Sequence, residues 1–303
     1  MAISFKDKVA IITGAGGGLG RAHALELAKR GAKVVINDLG ASVDGTGGNS
    51  AAAESVVKEI KAAGGEAIAN GASITDDAGV AHLVKQTMDT WGRIDILIAN
   101  AGILRDKSFA KMELKDFEAV IDVHLMGTVK PAHAIWPIMR AQKYGRIIVT
   151  TSSTGLYGNF GQTNYGAAKL SLVGFMNSLK LEGDKDNIKV NAICPVAATR
   201  MTENLMPPAV MEMLKPEYVT PAVAYLASDE APTGMILTAA AGVFAAAQLV
   251  ETDGVNLGHK ASCDDVAANF SKIADFSNAK HYTQGGEQNA KFFARIQDMP
   301  ILS

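Results

Sequence analysis

The chain has 303 residues, which suits one large domain or one domain with an appendage, and its formal net charge is -2. This near-neutral balance lacks the basic excess of a nucleic-acid-binding protein, so no nucleic-acid partner is expected. Cys194 and Cys263 lie far apart in the sequence. They are interpreted as free thiols of a reducing compartment, and no metal site is expected.

Nothing at the start of the chain has the pattern of a secretory signal, because the first apolar run, residues 9–12, is short and follows a mixed segment. The uncharged stretch 234–250 has a borderline length for a membrane span. It is rich in Ala and Gly, so a buried strand with a close-packed turn is the preferred interpretation. The final Ile301-Leu302-Ser303 is not a Ser-Lys-Leu peroxisomal address. We therefore expect a cytoplasmic protein without a membrane segment.

Short apolar runs alternate with helical patterns along the first 195 residues. Strands separated by helices pair in parallel, and nearly unbroken apolar runs are typical of strands covered on both faces. The predicted strands are 9–13, 33–37, 66–70, 94–99, 145–151 and 189–194, with a further one in 234–244, and the predicted helices lie near 19–30, 50–63, 76–91, 114–140 and 163–182. The pattern predicts an α/β, doubly wound and mostly parallel sheet of about six or seven strands with helices on both faces.

Two segments interrupt this alternation. A glycine-rich insertion occupies 40–50, directly after the second predicted strand, and a polar, weakly helical tail without an obvious core occupies 254–303. The sequence therefore predicts one domain at 1–253 and a C-terminal extension at 254–303 that packs on the domain or on a partner subunit. The tail's role stays open between a dimer contact and closure of a substrate pocket.

A glycine-rich turn lies between the first predicted strand and the first predicted helix. Glycine lets the backbone approach a pyrophosphate closely, and the helix N-terminus offers free N–H groups to the phosphates. This context predicts a Rossmann-type dinucleotide site formed by Gly14, Gly16, Gly18, Leu19 and Gly20.

Asp38 stands at the end of the second predicted strand, where a carboxylate accepts hydrogen bonds from both ribose hydroxyls of NAD and repels a 2'-phosphate. No Arg or Lys follows it before Lys58. The sequence therefore predicts NAD rather than NADP as the cofactor. The alternative for Asp38 is a turn former in Asn37-Asp38-Leu39-Gly40.

Tyr165 and Lys169 are four residues apart on a predicted helix, so their side chains share one face, and Ser152 precedes them after a predicted strand. A phenol has a pKa of about 10, and a nearby ammonium is expected to lower that pKa so that Tyr165 can exchange a proton near neutral pH. Ser152 would hold the substrate oxygen. The alternatives are a buried tyrosine, a solvated lysine and a turn serine.

Together these residues resemble the short-chain dehydrogenase/reductase family, which the chain matches in order over its first 200 residues. The matching patterns are Thr-Gly-x-x-x-Gly-x-Gly at 13–20, Asn100-Ala101-Gly102, Ser152 and Tyr165-x-x-x-Lys169. The resemblance implies an NAD-dependent oxidoreductase in which Lys169 also bonds the nicotinamide ribose. The implied cofactor-binding residues further include Asn100, Ala101, Gly102, Ser73, Ile74 and Pro195.

The sequence departs from the family pattern at several positions. His124 stands where the family has an asparagine that keeps a water in a proton relay to the lysine. A histidine can also bond and relay a proton, and the alternative is a packed core histidine. Ser73 lies where many relatives carry an adenine-binding aspartate, and Ala99 and Val196 also replace usual family residues. None of these changes removes a group that hydride transfer needs.

A narrower resemblance covers nearly the whole chain. The stretches 37–40, 156–162, 200–203, 214–219 and 274–279 are similar to the dehydrogenase unit of peroxisomal multifunctional enzyme type 2. This resemblance implies NAD-dependent oxidation of a (3R)-hydroxyacyl-CoA to the 3-ketoacyl-CoA, which belongs to fatty acid metabolism. No hydratase or sterol-carrier domain follows in this sequence, so a free-standing relative is expected.

Residues 196–220 supply weaker support for an acyl-CoA thioester. A flexible apolar lid over the cleft would fit an acyl chain, and the alternative is an ordinary helical hairpin. The lid residues would be Met201, Met206, Pro207, Pro208, Met211 and Met213. Arg105 and Lys107 could meet CoA phosphates, although each alone more often lies in solvent.

Two other functions remain open at this point. One is the same chemistry on a hydroxysteroid or a 3-oxoacyl-acyl-carrier-protein, and the other is a non-catalytic NAD-binding sensor or scaffold. The helices predicted at 114–140 and 163–182 carry apolar faces, and in the family such helices pair across a two-fold axis. A homodimer or homotetramer is therefore expected.

Overall fold

The fold is built on an eight-stranded sheet with the order β3-β2-β1-β4-β5-β6-β7-β8. It is seen in a computed structural model that describes residues 2–48, 51–199 and 207–297. The strands are β1 Val9–Thr13, β2 Lys33–Asn37, β3 Glu66–Asn70, β4 Ile96–Ala99, β5 Gly145–Thr150, β6 Ile188–Val196, β7 Ile236–Ala240 and β8 Val243–Ala247. The first seven pair in parallel. The doubly wound fold is confirmed.

The sheet is larger than predicted because the segment expected to hold one strand, 234–244, enters a hairpin. Ala241 and Gly242 separate β7 from β8 and have φ angles of 49° and 78°. Two central residues with positive φ form the tight turn that matches the twist of an antiparallel hairpin. A search for alternating strands and helices misses such a turn, because nothing but Gly242 marks it in the sequence.

Helices cover both faces of the sheet. Their bounds in this part of the chain are α1 Gly18–Lys29, α2 Ala51–Ala62, α3 Asp77–Trp91, α4 Leu114–Ile121, α5 Gly127–Gln142, α6 Ser153–Tyr157, α7 Thr163–Gly183, α8 Pro208–Met213 and α9 Thr220–Ala227. The single helix expected at 114–140 is wrong in one respect. A π-helical turn, Asp122–Met126, separates α4 from α5. Such turns insert a residue into an α-helix and often lie at functional sites.

The core explains why the strands are so apolar. Every residue of β1, β4 and β5 is buried. On one face of the sheet, Ala10 and Ile12 belong to a cluster with Leu27 of α1, Ile60 of α2 and Val223 of α9. The strand order reverses between β1 and β4, so the carboxyl ends of these strands form the crevice in which doubly wound folds bind ligands.

The chain divides into two compact units, Met1–Ala246 and Ala247–Ser303. The boundary drawn from the sequence, between residues 253 and 254, therefore falls inside the second unit. That unit contains α10 Cys263–Ala268, α11 Phe270–Ile273 and α12 Gly285–Gln297. Within it, Lys291 of α12 pairs with Glu251, and Arg295 lies 2.6 Å from Asp253. Over the described residues, every helix is too short or too polar to cross a bilayer.

Candidate active site

The turn after β1 holds its backbone in a form that only glycine adopts readily. Gly14 and Gly18 have φ angles of 63° and 51°. A Cβ atom on Gly20 would lie 2.3 Å from the carbonyl oxygen of Gly14. The Asn100 amide, which follows β4, donates to the carbonyl oxygens of Thr13 and Gly14 at 3.1 Å each. These contacts fix the turn at the start of α1, where the free backbone N–H groups of a helix N-terminus can bind an anion.

Asp38 is attached to this turn through both carboxylate oxygens. Its Oδ2 accepts from the backbone N–H of Gly16 at 2.7 Å, and its Oδ1 accepts from the N–H of Gly40 at 2.7 Å. A Cβ on Gly16 would lie 2.8 Å from Asp38 Oδ2. Gly16 is therefore required for this contact, which holds the carboxylate beside the phosphate-binding turn.

A cavity of about 550 Å³ lies over the carboxyl ends of the central strands. It brings together most of the site residues that the sequence predicts, and only Gly16 and Gly20 lie behind its wall. The predicted residues in the wall are Gly14, Gly18, Leu19, Asp38, Ser73, Ile74, Asn100, Ala101, Gly102, His124, Ser152, Tyr165, Lys169 and Pro195. One enclosure therefore spans the distance from the Asp38 carboxylate to the tyrosine and lysine on α7.

Ser152 and the α7 residues converge at one end of this cavity. Ser152 follows β5 and caps α6, where its Oγ accepts from the Thr154 N–H at 3.2 Å. Tyr165 and Lys169 lie in the first two turns of α7, and Lys169 Nζ is 5.6 Å from the Tyr165 ring centroid. Lys169 Nζ also donates to the Thr150 carbonyl at 2.7 Å. The arrangement presents a hydroxyl, a phenol and an amine to one small volume.

The electrostatics of this end differ from the expectation drawn from the sequence. Burial raises the pKa of Tyr165 to about 12, and a hydrogen bond with Ser152 opposes that rise. Burial also lowers the pKa of Lys169 to about 7. The predicted lowering of the Tyr165 pKa by the ammonium is thus wrong. Desolvation of the half-buried phenol outweighs the Ser152 hydrogen bond, and the buried amine is itself only partly charged near neutral pH.

His124 lies in the π-helical turn and is almost fully buried. Its Nε2 is 2.9 Å from the Ile103 carbonyl oxygen and 3.2 Å from the Ile103 backbone nitrogen, and its Nδ1 has no hydrogen-bond partner within the part of the chain that the structure describes. Its ring meets the Tyr165 ring edge to face at a centroid distance of 5.2 Å. Burial, followed by the charge of Lys169, lowers the His124 pKa well below 6.5, so the imidazole is neutral at physiological pH.

Gly102 makes room for this imidazole. A Cβ atom there would lie 2.2 Å from His124 Cε1. The glycine of the Asn100-Ala101-Gly102 turn is therefore needed for side-chain packing, a reason that its position in the sequence does not reveal.

The cavity wall also contains residues that sequence reasoning did not assign to a site. The insertion after β2 contributes Ala41, Ser42, Val43 and Gly45, and the loop before α7 contributes Asn159 and Gln162. The insertion was visible in the sequence only as a break in the alternation. Its position against the cavity depends on contacts with residues about sixty positions away, such as the Leu104 N–H donating to the Val43 carbonyl at 3.0 Å.

The structure describes only some of the residues that the sequence analysis proposed to contact an acyl-CoA group. Met201 and Met206 of the expected lid lie outside the described residues, while Pro208 and Met213 begin and end α8. Arg105 and Lys107 both face Asp116, at 3.1 and 3.8 Å. An anion would have to compete with that carboxylate for either cation.

Comparison with known proteins places the chain in a family. The short chain dehydrogenase family model matches residues 8–209. The chain belongs to this family and is therefore an oxidoreductase, as the motifs predicted.

Three known proteins show which members of the family this chain resembles. Peroxisomal multifunctional enzyme A of Dictyostelium discoideum is 47% identical over 99% of this chain and 67% of its own length. The full-length structure of peroxisomal multifunctional enzyme type 2 from Drosophila melanogaster superposes with a TM-score of 0.82 and 36% identity, covering 97% of this chain and 50% of that one. The structure of a 7α-hydroxysteroid dehydrogenase complexed with NADH and 7-oxo glycochenodeoxycholic acid superposes with a TM-score of 0.71 at 29% identity. The match covers 79% of this chain and 95% of that one. The resemblance to multifunctional enzyme type 2 is confirmed.

Proposed function

We propose that this protein oxidises a secondary alcohol with NAD, and that the alcohol is a (3R)-hydroxyacyl-CoA converted to the 3-ketoacyl-CoA. The observation that carries the proposal is the single cavity that holds Asp38 at one end and Ser152, Tyr165 and Lys169 at the other. The family match and the NADH complex of a structural relative support a nicotinamide cofactor in that cavity.

The residues of the cavity fit such a cofactor. The glycine turn leaves room for the phosphates, since a Cβ on Gly17 would meet no atom of the described residues within 4 Å. When bound, the oxidised nicotinamide supplies the hydride acceptor for the alcohol carbon. Tyr165 takes the hydroxyl proton as the carbonyl forms, and in the reverse direction it returns that proton. Ser152 donates to the substrate oxygen. Lys169, whose Nζ lies 5.6 Å from the Tyr165 ring centroid, would bond the nicotinamide ribose.

The choice of NAD over NADP rests on Asp38. Its carboxylate is fixed by two backbone N–H groups at the end of β2, and a 2'-phosphate there would meet a like charge. Comparison of kcat/KM for NAD and NADP tests this part of the proposal. We expect a preference for NAD, and a tenfold or greater preference for NADP would overturn the role of Asp38.

The substrate is proposed from similarity to the multifunctional enzymes. A panel of short, medium and long 3-hydroxyacyl-CoAs, each as the R and the S isomer, tests it. We expect turnover of the R isomers. A 7α-hydroxysteroid and a 3-oxoacyl-acyl-carrier-protein are assayed separately as the alternative substrates. Higher kcat/KM on either competitor than on every acyl-CoA would replace the proposed substrate while leaving the chemistry intact.

A non-catalytic NAD-binding sensor is the alternative of another class. The Tyr165→Phe variant separates the two, since it removes the hydroxyl and leaves the ring that packs on His124. We expect turnover to fall by at least about two orders of magnitude, the usual scale for loss of an acid–base group. The Kd of NADH, measured by fluorescence titration, should stay within about twofold. Undiminished turnover in this variant would contradict the mechanism.

A further inference from the structure

A short segment after β4 connects two walls of the cavity that are far apart in the sequence. Residues 103–107, here called the bridging segment, contact the insertion after β2 on one side. The Leu104 N–H donates to the Val43 carbonyl at 3.0 Å, and Arg105 Nε donates to the Asp44 carbonyl at 3.0 Å. Ile103 packs against Gly45, where an added Cβ would lie 3.2 Å from Ile103 Cγ2.

The same segment contacts the first turn of the catalytic helix. The Asn164 side-chain amide donates to the Arg105 carbonyl at 2.9 Å, and its Oδ1 accepts from the Tyr165 N–H at 2.8 Å. Asn164 is fully buried. The Lys107 N–H also donates to the Gly161 carbonyl at 3.0 Å. The backbone of Tyr165 is thus bonded, through one buried amide, to the segment that holds the insertion.

Arg105 is the residue at which these contacts meet. Its Nε donates to the insertion, and its Nη1 lies 3.1 Å from Asp116 of α4. Its carbonyl oxygen accepts a hydrogen bond from the Asn164 side-chain amide. The planar guanidinium can serve the first two partners at once because its donors point in fixed directions, whereas a lysine ammonium has no equivalent of Nε. A simple surface ion pair would need only the contact with Asp116.

We propose that Arg105 is a positioning residue that couples the insertion beside Asp38 to Tyr165, so that a nucleotide held against the insertion also orders the first turn of α7. The inference rests on the proposed function for the presence of a dinucleotide in the cavity. The insertion forms the cavity wall next to Asp38. The bridging segment bonds both the insertion and Asn164, so a shift of the insertion would also shift Asn164 and the backbone of Tyr165. The catalytic residues then reach their final arrangement only when the adenosine end of the cofactor is in place.

Hydrogen–deuterium exchange with ADP as the ligand tests this coupling, because ADP carries no nicotinamide or nicotinamide ribose to touch Tyr165 directly. In the unmodified protein, we expect ADP to slow exchange in 41–46 and also, at least about twofold, in 163–169, where ordering adds to local opening free energy. In Arg105→Lys, which keeps the charge beside Asp116 and loses the Nε donor, protection of 41–46 should remain and that of 163–169 should weaken measurably, because among the described residues only the Leu104–Val43 hydrogen bond and the Ile103–Gly45 contact still join the insertion to the bridging segment.

The Lys115→Ala variant is the matched control, since it removes a cation from the same region and Lys115 pairs only with Glu113 at 2.7 Å among the ion pairs of the described residues. It should show both protections. The Kd of NADH should rise about 2- to 10-fold in Arg105→Lys, the scale of one hydrogen bond, and stay unchanged in Lys115→Ala.

Two outcomes would overturn the coupling. In one, ADP protects 41–46 and leaves 163–169 unaffected in the unmodified protein. In the other, Arg105→Lys retains both protections and the NADH affinity of the unmodified protein. Absence of a dinucleotide site is recognised separately, because in that case the unmodified protein would bind neither NADH nor ADP, and loss of catalysis alone is recognised by the turnover assay.

Discussion

His124 is the residue at which this chain departs most clearly from the usual catalytic set, and its environment allows the two interpretations to be separated. A packed core histidine is expected to satisfy both ring nitrogens, whereas the His124 ring lies in the cavity wall and its Nδ1 has no hydrogen-bond partner among the described residues.

Replacement of His124 distinguishes a polar role from a packing role. In His124→Leu, which fills similar space without a polar atom, we expect kcat to fall at least about tenfold, toward the lower end of acid–base effects. His124→Asn, which restores a donor and an acceptor, should recover part of that loss. The NADH Kd should change little in either variant. Full activity in His124→Leu would establish the packing interpretation.

His23 makes stability depend on pH, independently of catalysis. It is buried on α1, and its Nδ1 lies 2.9 Å from Thr220 Oγ1 at the start of α9. Burial lowers its pKa from 6.5 to about 3. Below pH 6.5, His23 binds a proton in the unfolded chain and stays neutral in the folded protein. The free energy of unfolding therefore decreases as the pH falls from 6.5 to 3.

The His23→Asn variant isolates this contribution, since it keeps a polar partner for Thr220 and cannot titrate. Between pH 7.5 and 5, we expect the free energy of unfolding of the unmodified protein to drop relative to the variant by up to about 2 kcal/mol. Urea unfolding at several pH values measures the difference. Curves that stay parallel over this range would show that His23 does not titrate as its burial requires.

At the scale of elements, the sequence predicts the strands, whose bounds follow from local apolar patterns. It does not predict the π-helical turn, which a single inserted residue produces. The ends of β1, β2 and β3 agree with the expected strands, because each has a short apolar centre, which polar residues flank in β2 and β3. The π-helical turn at Asp122–Met126 left the period of apolar residues nearly intact, so the helix at 114–140 looked continuous. The glycine turn and the Tyr165/Lys169 pair were predictable because their spacing is local.

The β7–β8 hairpin provides a prediction at this scale. Ala241 has a φ of 49°, a left-handed conformation that costs an L-residue with a Cβ about 1 kcal/mol. Asparagine tolerates it better, and Asn-Gly is the favoured pair for such turns. Ala241→Asn should therefore raise the free energy of unfolding by about 0.5–1 kcal/mol. Ala245→Asn, in the exposed middle of β8, should not. Equal or lower stability in Ala241→Asn would contradict the turn assignment.

At the scale of the whole molecule, the site depends on contacts that bring distant segments to one sheet edge. Asp38, Asn100, Ser152 and Pro195 follow or end four different strands, and parallel pairing places all of these ends together. The fold class was therefore enough to predict that they share a crevice. The walls formed by the insertion and by Asn159 and Gln162 were not predictable, since they depend on long-range hydrogen bonds between loops.

The surface of α7 bears on how chains associate. Leu170 and Leu181 are about half exposed and lie three turns apart on one face. Gly174 lies between them, and a Cβ there would meet no atom within 4 Å in the described ranges of the chain. Two leucines with a glycine between them leave a shallow apolar stripe into which an identical helix can pack across a two-fold axis.

We therefore predict a homodimer or homotetramer in which α7 packs against its copy. Light scattering at micromolar concentration should give two or four times the 31.7 kDa of one chain. Leu181→Glu places charges against each other across the axis and should shift the population toward single chains, while Ala62→Glu, at the exposed end of α2, should not. Because Leu181 lies three turns beyond Lys169, NADH affinity serves as a check that the variant is folded. A monomeric unmodified protein, or a Leu181→Glu variant with unchanged mass, would exclude this interface.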